Sequence, residues 1–547
     1  MKSALEMDQS TIVRSRWDRL ILIAALLILT GFYLRYQPIR LAHYTDPLVY
    51  LSGAESLAEG NGYRFVAHAG TPRITVHPPL QSAYLSLFWR LNPDFPANIP
   101  WLYAAMILTV FATFILFYRF CRKNGMPGLV AGLLILSWGL SLNFGNLIFS
   151  FMSDVTFGLL WMILGSFWLE SQNLDSARHW LITGVIVMLM YLTRTAALAV
   201  VVTLAGVAVW RAWSRAQIRL LLAYLVPVML GIVLWSLWAA GAPSYADYMK
   251  LKIGGQGGLT GTIHACFDRA LDYVCGPGIV RGLFPALVEW PSLNPLVHTA
   301  WSSILIAITL GFSWLLTICW SVGCWRSRTS KNSPQSVRSG PLPDAEGHQR
   351  IEPVLKNRIF GLVVAVYLLE LCLYPDGLGE RVLYAILPFV LAWAWKGSAW
   401  LAPAIHRSKA GSCAVVIFLV LNVAGNARSF APAMTYLDTC CHREELNEVG
   451  DWLRQNSPPK TVVAATLSEP VMHFYHYSGR KVVENYFQKQ PCFSIVGDSL
   501  IGTQNADYLL LDWYSSLTVD GLNFRSFHLA KSSSFGRYRL YRVGPKL

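Results

Sequence analysis

The sequence predicts an α-helical polytopic membrane protein with a small α/β domain at its C-terminal end. Of its 547 residues, 54% are hydrophobic and only 14% are charged, a balance that excludes an ordinary soluble domain. Apolar runs of about 18 to 25 residues recur along the chain, and each is long enough to cross a bilayer as a helix. From residue 428 the pattern changes to short strand-like runs such as TVVAAT and YRLYRV beside one polar helix, EELNEVGDWLRQN. This alternation is typical of a small α/β domain.

These runs predict about eleven membrane spans. They are expected at residues 20–36, 101–118, 128–144, 151–169, 180–194, 196–210, 217–240, 299–323, 359–374, 382–399 and 411–426. Arg14, Arg16 and Arg19 precede the first run and no small-residue cleavage site follows it, which indicates an uncleaved anchor with its N-terminus inside. An odd number of spans then places the two ends of the chain on opposite sides of the membrane. Residues 1–427 form a transmembrane domain with outer loops 37–100 and 241–298, and residues 428–547 form an extracytoplasmic domain.

The formal net charge of +14 agrees with this topology. In a soluble protein such an excess would suggest nucleic-acid binding. Here the lysines and arginines fall mainly between apolar runs, so they indicate the orientation of the chain in the membrane. We therefore expect a multi-pass protein of the inner cell membrane with membrane lipid and no nucleic acid as a partner. Cys266 and Cys275 share the outer loop 241–298 and are candidates for a disulfide.

The stretch HYTDPLVYLSGAESLAEGNGY, His43 to Tyr63, follows the first span and mixes acidic with apolar residues. Its apolar residues recur at helical spacing, which predicts a short amphipathic helix along the membrane surface. The segment Gly60-Asn61-Gly62 ends this helix. Asp46 stands directly before Pro47, so it fits either a helix N-cap or a working acid or base.

Several ionisable residues lie near one face of the predicted membrane. Asp46 follows the first span, Asp154 opens the fourth, Arg194 ends the fifth, and Arg381 stands at the start of the tenth. An ionised side chain at the bilayer centre costs about 2.5–3.5 kcal/mol, so such residues require a partner or a function. Each of them alone is explained by capping or by contact with lipid headgroups. As a set beneath a large outer loop, they predict an active site.

Five motifs in a fixed order carry a family resemblance: TDPLVYLSGAESLAEGNGY, HPPL at His77, SDVTF, YLTRTAAL and GERVLYAILP. In this order and placement the chain resembles the polytopic glycosyltransferases of the GT-C class, of the protein O-mannosyltransferase and lipid A aminoarabinose-transferase types. The resemblance implies a GT-C fold and transfer of a sugar from a polyprenyl-phosphate carrier to an acceptor on the outer face. It also implies that His77, beside the paired prolines, meets the donor phosphate.

The residues themselves agree with a lipid-linked donor. The inner loops are short, and no glycine-rich phosphate loop follows a strand, so a nucleotide-sugar donor is not expected. A lipid phosphate at the outer interface requires cations, and arginine offers a planar fork that suits phosphate oxygens. Arg381 and Arg194 are the candidates, and Tyr384 adds a hydroxyl.

One carboxylate has to remove the proton of an acceptor hydroxyl or orient an acceptor amine, and Asp46 is predicted to be this base. Asp154 is expected to orient Asp46 or the acceptor, and Tyr50 and Glu55 are placed on the acceptor side. Because the leaving phosphate is already a stable anion, we expect direct displacement with inversion and no strong general acid. No cofactor is predicted. Asp46 and Asp154 could share a divalent metal, but no third ligand is apparent.

The sequence leaves the sugar open, and the acceptor could be lipid A, another glycan or a protein. The alternative function is a transporter or flippase for a lipid or a sugar. Such a protein should show polar breaks near the middle of its helices and structurally related halves. Here the ionisable residues lie at predicted helix ends, which favours the enzyme.

The topology can be tested with a reporter enzyme that is active only in the cytoplasm. Fused before Met1 the reporter is expected to be active, and fused after Leu547 it is expected to be silent, because an odd number of spans separates the two termini. Activity of the fusion after Leu547 would overturn both the orientation and the placement of the site on the outer face.

Overall fold

The computed structural model describes residues 2–36, 45–171, 174–214, 217–240, 258–270, 344–373, 379–403, 408–439, 443–465, 471–483, 493–496, 499–502, 506–512, 527–535 and 538–545, with a few isolated positions between 273 and 406. Most of these residues are helical. The helices are α1 (Lys2–Arg35), α2 (Thr45–Ala58), α3 (Leu80–Trp89), α4 (Ile99–Lys123), α5 (Gly128–Gly139), α6 (Leu142–Phe149), α7 (Ser153–Glu170), α8 (Ala177–Thr193), α9 (Leu198–Ser214), α10 (Ile218–Ala239), α11 (Gly258–Ala270), α12 (Asp344–Leu373), α13 (Leu387–Leu401), α14 (Lys409–Thr439), α15 (Arg443–Asn456) and α16 (Val471–Ser478). Short 3-10 helices cover Thr195–Ala197 and Gly379–Ala385.

The predicted spans that fall on described residues are helical. Among these residues, five helical segments are long and apolar enough to cross a membrane by themselves: Arg16–Arg35, Ile99–Lys123, Thr195–Ser214, Ile218–Ala239 and Lys409–Phe430. The pair α5 and α6 makes a sixth candidate with a bend of 63°. The predicted span 299–323 lies almost entirely outside the described residues, so the total of about eleven stays a prediction.

Large aromatic side chains fill the space between the helices. The largest fully buried ones include Trp138 on α5, Trp161 and Trp168 on α7, Trp180 on α8 and Trp393 on α13. Buried tryptophans of this size are a large part of the packed core between the helices. This core holds the helices that carry the ionisable residues.

The run 128–144, predicted as one span, is broken in the structure between α5 and α6. The last carbonyls of α5 are bound by side chains of other helices: the Tyr33 hydroxyl donates to the Gly139 carbonyl at 2.8 Å, and the Asn426 amide donates to the Ser137 carbonyl at 2.8 Å. A helix can end inside a membrane only where its free backbone groups find such partners. The break therefore depends on contacts far apart in the chain. By contrast, the predicted division at Arg194 is confirmed, because α8 ends at Thr193 and Arg194 is extended, with φ −150° and ψ 134°.

The opening stretch does form a helix, α2, but the prediction of an amphipathic surface helix was wrong. Every residue from Pro47 to Ser56 is buried. The helix packs against α3 on one side and contacts α16 on another. Its polar residues, such as Ser52 and Glu55, therefore lie inside the protein and not in a lipid headgroup layer.

The C-terminal part contains β1 (Val462–Ala465), β2 (Lys481–Val483), β3 (Phe493–Val496), β4 (Ser499–Gly502), β5 (Tyr508–Asp512), β6 (Phe527–Phe535) and β7 (Tyr538–Pro545). Five strands form a mixed sheet in the order β2-β1-β5-β7-β6, in which β1 is parallel to β2 and to β5. The strands β3 and β4 form a separate antiparallel pair. Helix α14 continues past residue 428 to Thr439, so the predicted division between residues 427 and 428 falls within a helix.

Candidate active site

The carboxylate of Asp46 lies between two basic side chains. Helix α2 begins at Thr45, so Asp46 occupies its first turn. Asp46 Oδ1 is 3.4 Å from His77 Nε2, and Asp46 Oδ2 is 3.7 Å from Arg381 Nη1. The three side chains are mostly buried, with 14%, 17% and 19% of their surfaces exposed, respectively. The carboxylate therefore faces two basic side chains from other segments of the chain, an arrangement that a helix cap does not require.

These neighbours change the acidity of Asp46. Burial raises the pKa of the Asp46 carboxyl, but His77, Arg381 and Arg194 lower it further than burial raises it. The net pKa lies well below the ordinary value of an aspartate, so the carboxylate stays ionised under physiological conditions. A carboxylate stabilised in this way is a weak base for as long as it keeps these partners.

The loop before α3 holds His77 in place. The Tyr63 hydroxyl donates a hydrogen bond to the His77 carbonyl at 3.1 Å, and the His77 ring lies 5.4 Å from the ring of Tyr50. Pro78 and Pro79 follow directly and restrict the backbone at this point. The rigid placement expected from the paired prolines is present.

Asp154 and Arg194 form the second ion pair of the site. Arg194 Nη1 contacts Asp154 Oδ2 directly, and the exposed fractions of the two side chains are 14% and 4%. The Ser153 hydroxyl, missed in the sequence, joins the two ion pairs. It lies 2.8 Å from the Tyr50 hydroxyl and accepts a hydrogen bond from Arg194 Nη1 at 3.4 Å. Tyr50 thus bonds to Ser153 while its ring packs on His77.

The backbone that enters α7 is held in an unusual conformation. Phe151 has a positive φ of 54°, a region that costs free energy for residues other than glycine. The Gln81 amide donates to the Phe151 carbonyl at 3.1 Å, and the Thr156 hydroxyl donates to Gln81 Oε1 at 2.7 Å. Gln81 thereby ties the turn before Asp154 to the HPPLQ segment that contains His77. Sequence reasoning missed Gln81, although its position directly after HPPL is a signal.

Two predicted site residues are placed elsewhere. The Tyr384 hydroxyl lies 3.2 Å from Ser141 Oγ, and its buried ring stacks on Trp138 with centroids 6.2 Å apart. Glu55 lies near the other end of α2, where its Oε2 is 3.0 Å from His476 Nε2 of the C-terminal part. The roles predicted for Tyr384 at the donor phosphate and for Glu55 at the acceptor have no support from these contacts.

The structure brings together Asp46, His77, Tyr50, Asp154, Arg194 and Arg381, all of which the sequence predicts. Over the part of the chain that the structure describes, no group of three or more His, Cys, Asp and Glu side chains is arranged to hold a metal ion. The candidate disulfide partner Cys275 lies outside the described residues.

Comparison with solved structures identifies the fold. The crystal structure of ArnT from Cupriavidus metallidurans bound to undecaprenyl phosphate matches with a TM-score of 0.55, over 96% of this chain and 99% of that chain, at 11% sequence identity. ArnT from the same organism in the apo state gives a TM-score of 0.46 at 12% identity, over 97% and 99% of the two chains. No protein-family model and no curated protein matches the sequence. The first match confirms the GT-C fold that the sequence resemblance implied. It also agrees with a multi-pass membrane protein.

The buried pair of Asp154 and Arg194 generates a prediction about stability. Arg194→Met leaves the Asp154 charge buried without its partner and is expected to lower the free energy of unfolding by about 3–5 kcal/mol. The double variant Asp154→Leu/Arg194→Met removes both charges and should recover most of that loss. Unfolding of the purified variants in mixed detergent micelles measures both values. A double variant as unstable as Arg194→Met would show that the pair does not account for the loss.

Proposed function

We propose that the protein is a membrane glycosyltransferase that moves a sugar from a polyprenyl-phosphate donor to an acceptor on the outer face of the inner cell membrane, with inversion. The observation that carries the proposal is the carboxylate of Asp46 held between His77 and Arg381, beside the second pair of Asp154 and Arg194, in an ArnT-like fold. The solved ArnT structure with this fold binds undecaprenyl phosphate, which supports the choice of donor.

Arg381 and His77 bind the donor phosphate in this proposal. Both side chains are basic, retain some exposure and flank the same carboxylate. A guanidinium offers parallel donors that match two phosphate oxygens, and such charge-assisted bonds are stronger than neutral ones. The prenyl tail stays in the bilayer, so the donor enters laterally and its phosphate reaches the cations at the interface.

Donor binding then changes the state of Asp46. The phosphate competes with Asp46 for the N–H groups of Arg381 and His77. When these side chains turn to the phosphate, Asp46 loses the contacts that lower its pKa and becomes a stronger base. The donor is therefore bound before the acceptor proton is removed, and the base is activated only when a lipid phosphate occupies the site.

The transfer itself is a single displacement. The acceptor hydroxyl oxygen attacks the anomeric carbon and forms the new carbon–oxygen bond, while the bond from that carbon to the phosphate oxygen breaks. The electron pair leaves with the polyprenyl phosphate, and Asp46 accepts the acceptor proton. Asp154 acts indirectly in this proposal. It pairs with Arg194, Arg194 donates to Ser153, and Ser153 holds the Tyr50 hydroxyl in position.

The role of Arg381 can be tested by donor binding. Arg381→Ala is expected to weaken the binding of undecaprenyl phosphate at least tenfold, and Arg381→Lys should rescue it poorly because a lysine lacks the forked geometry. Binding is measured by titration of the purified protein in nanodiscs. Arg122→Ala is a matched control, since Arg122 pairs with Asp18 at 2.9 Å at the opposite end of the helices. Donor affinity that is unchanged in both Arg381 variants would remove this residue from the site.

The role of Asp46 can be tested by transfer of radiolabel from a polyprenyl-phosphate-linked sugar to membrane acceptors. Asp46→Asn keeps the size of the side chain but removes the basic carboxylate, so transfer is expected to fall by roughly a hundredfold or more. Folding and donor binding should survive, and Asp154→Asn should do less harm. Asp18→Asn serves as the control at the opposite end.

Two outcomes of this experiment would contradict the assignment. If Asp46→Asn keeps more than about a tenth of normal transfer while Asp154→Asn is inactive, the base is Asp154, because loss of a general base costs about a hundredfold or more. If the unmodified protein transfers no label to lipid, glycan or protein, the transporter is the better explanation. Mass spectrometry of the labelled product identifies the acceptor.

A further inference from the structure

Helix α2 is attached to the C-terminal part through a buried polar contact between two side chains. Glu55 Oε2 is 3.0 Å from His476 Nε2, and only 5% of the Glu55 side chain is exposed. The His476 ring packs on Phe95 with centroids 4.7 Å apart and lies 6.3 Å from the ring of Trp89. His476 therefore occupies a pocket made by α2, the end of α3 and the segment before α4.

A second attachment joins the C-terminal sheet to the loop that leads to His77. The Val482 amide of β2 donates to the Ala67 carbonyl at 2.9 Å, and the Ala69 amide donates to the Val482 carbonyl at 2.9 Å. His68 and Val482 form a parallel bridge, so residues 67–69 extend the sheet beyond β2. The Lys481 ammonium also contacts the Val66 carbonyl.

Both attachments act on segments that hold the base. Asp46 lies in the first turn of α2, and Glu55 lies about 13 Å farther along the same helix at a rise of about 1.5 Å per residue. His77, the partner of Asp46, follows the loop that pairs with β2. A helix is stiff over this length, so a movement of its Glu55 end also moves Asp46 relative to His77 and Arg381.

From this geometry we infer that His476 and Glu55 are positioning residues, through which the C-terminal part holds Asp46 in register with His77 and Arg381. The catalytic consequence rests on the proposed function, but the mechanical coupling does not. The C-terminal part then helps to set the geometry of the site, although none of its described residues contacts Asp46. A misplacement of about 1 Å at a reacting group can reduce the rate on the order of a hundredfold.

The test compares His476→Ala, Glu55→Ala and the double variant with the unmodified full-length protein in nanodiscs. We expect kcat to fall by about tenfold to a hundredfold while the affinity for undecaprenyl phosphate is unchanged. The double variant should be no worse than the worse single variant, because both remove the same contact. Glu55→Gln keeps the length of the side chain and an acceptor for His476, so it should retain most of kcat even if His476→Ala fails to fold.

A second measurement needs no sugar transfer. In His476→Ala or Glu55→Ala, backbone amide hydrogen exchange is expected to become faster at residues 45–52, which lie far along α2 from the lost contact. Glu448→Gln is the control, because it removes an exposed charge of α15 in the same C-terminal part and leaves α16 and α2 unchanged. This control should leave both kcat and the exchange at residues 45–52 unchanged.

The outcomes separate the two proposals. Faster exchange confined to residues 471–483, or an unchanged kcat in the folded variants, would overturn the positioning role. If the unmodified protein transfers no sugar, the proposed function fails, and the exchange at residues 45–52 alone decides whether α2 is held by His476.

Discussion

The site depends on one electrostatic constraint: buried ionised side chains must be paired. Asp46 faces His77 and Arg381, and Asp154 contacts Arg194, so each site carboxylate has a basic partner from a distant segment of the chain. Removing one member of the more deeply buried pair, Asp154 and Arg194, leaves an uncompensated charge in a medium of low dielectric constant, which costs several kcal/mol. The pairs therefore bring together α2, the His77 loop, the start of α7, the end of α8 and the 3-10 turn before α13. The same contacts that stabilise this end of the protein collect the groups to which we assign donor binding and proton transfer.

The irregular backbone around the site is subject to a related constraint, because its free N–H and C=O groups also need hydrogen-bond partners. Non-helical backbone is tolerated at membrane depth only where protein groups replace the lost hydrogen bonds. The Gln81 amide binds the Phe151 carbonyl in the strained turn before Asp154, and Tyr33 and Asn426 bind the end of α5. These side chains come from neighbouring helices, so the irregular segments are fixed by packing. They place Asp154 and Ser153 at the start of a helix, where Arg194 and Tyr50 can reach them.

Most charged residues of the site could be predicted from the sequence, because a charged side chain within or beside a long apolar run is unusual. Asp46, Asp154, Arg194 and Arg381 interrupt or border apolar runs, and the HPPL motif marks His77. Contacts between distant segments were not predictable in the same way. Glu55 and His476 lie 421 positions apart, and no local pattern couples them. The burial of α2 was missed for the same reason: its polar residues suggested a surface helix, whereas α3 and α16 cover them. The Tyr384 hydroxyl was placed by its spacing from Arg381, but the stacking on Trp138 directs it toward Ser141.

The pairing of Asp46 also explains how, in the proposed mechanism, a buried carboxylate can stay ionised and yet remain a weak base until the donor binds. A carboxylate whose pKa is lowered by neighbouring basic groups is stable but accepts a proton poorly, whereas one without partners would be costly to bury. In the proposed mechanism a phosphate donor resolves this conflict, because it takes over the contacts with Arg381 and His77 and releases Asp46 at the position where the acceptor arrives. That exchange works only if Asp46 keeps its place when its electrostatic contacts weaken. Packing along α2 and the contact of Glu55 with His476 are independent of those charges. In the proposed mechanism the groups that hold the base in position are thus separate from the groups that set its reactivity.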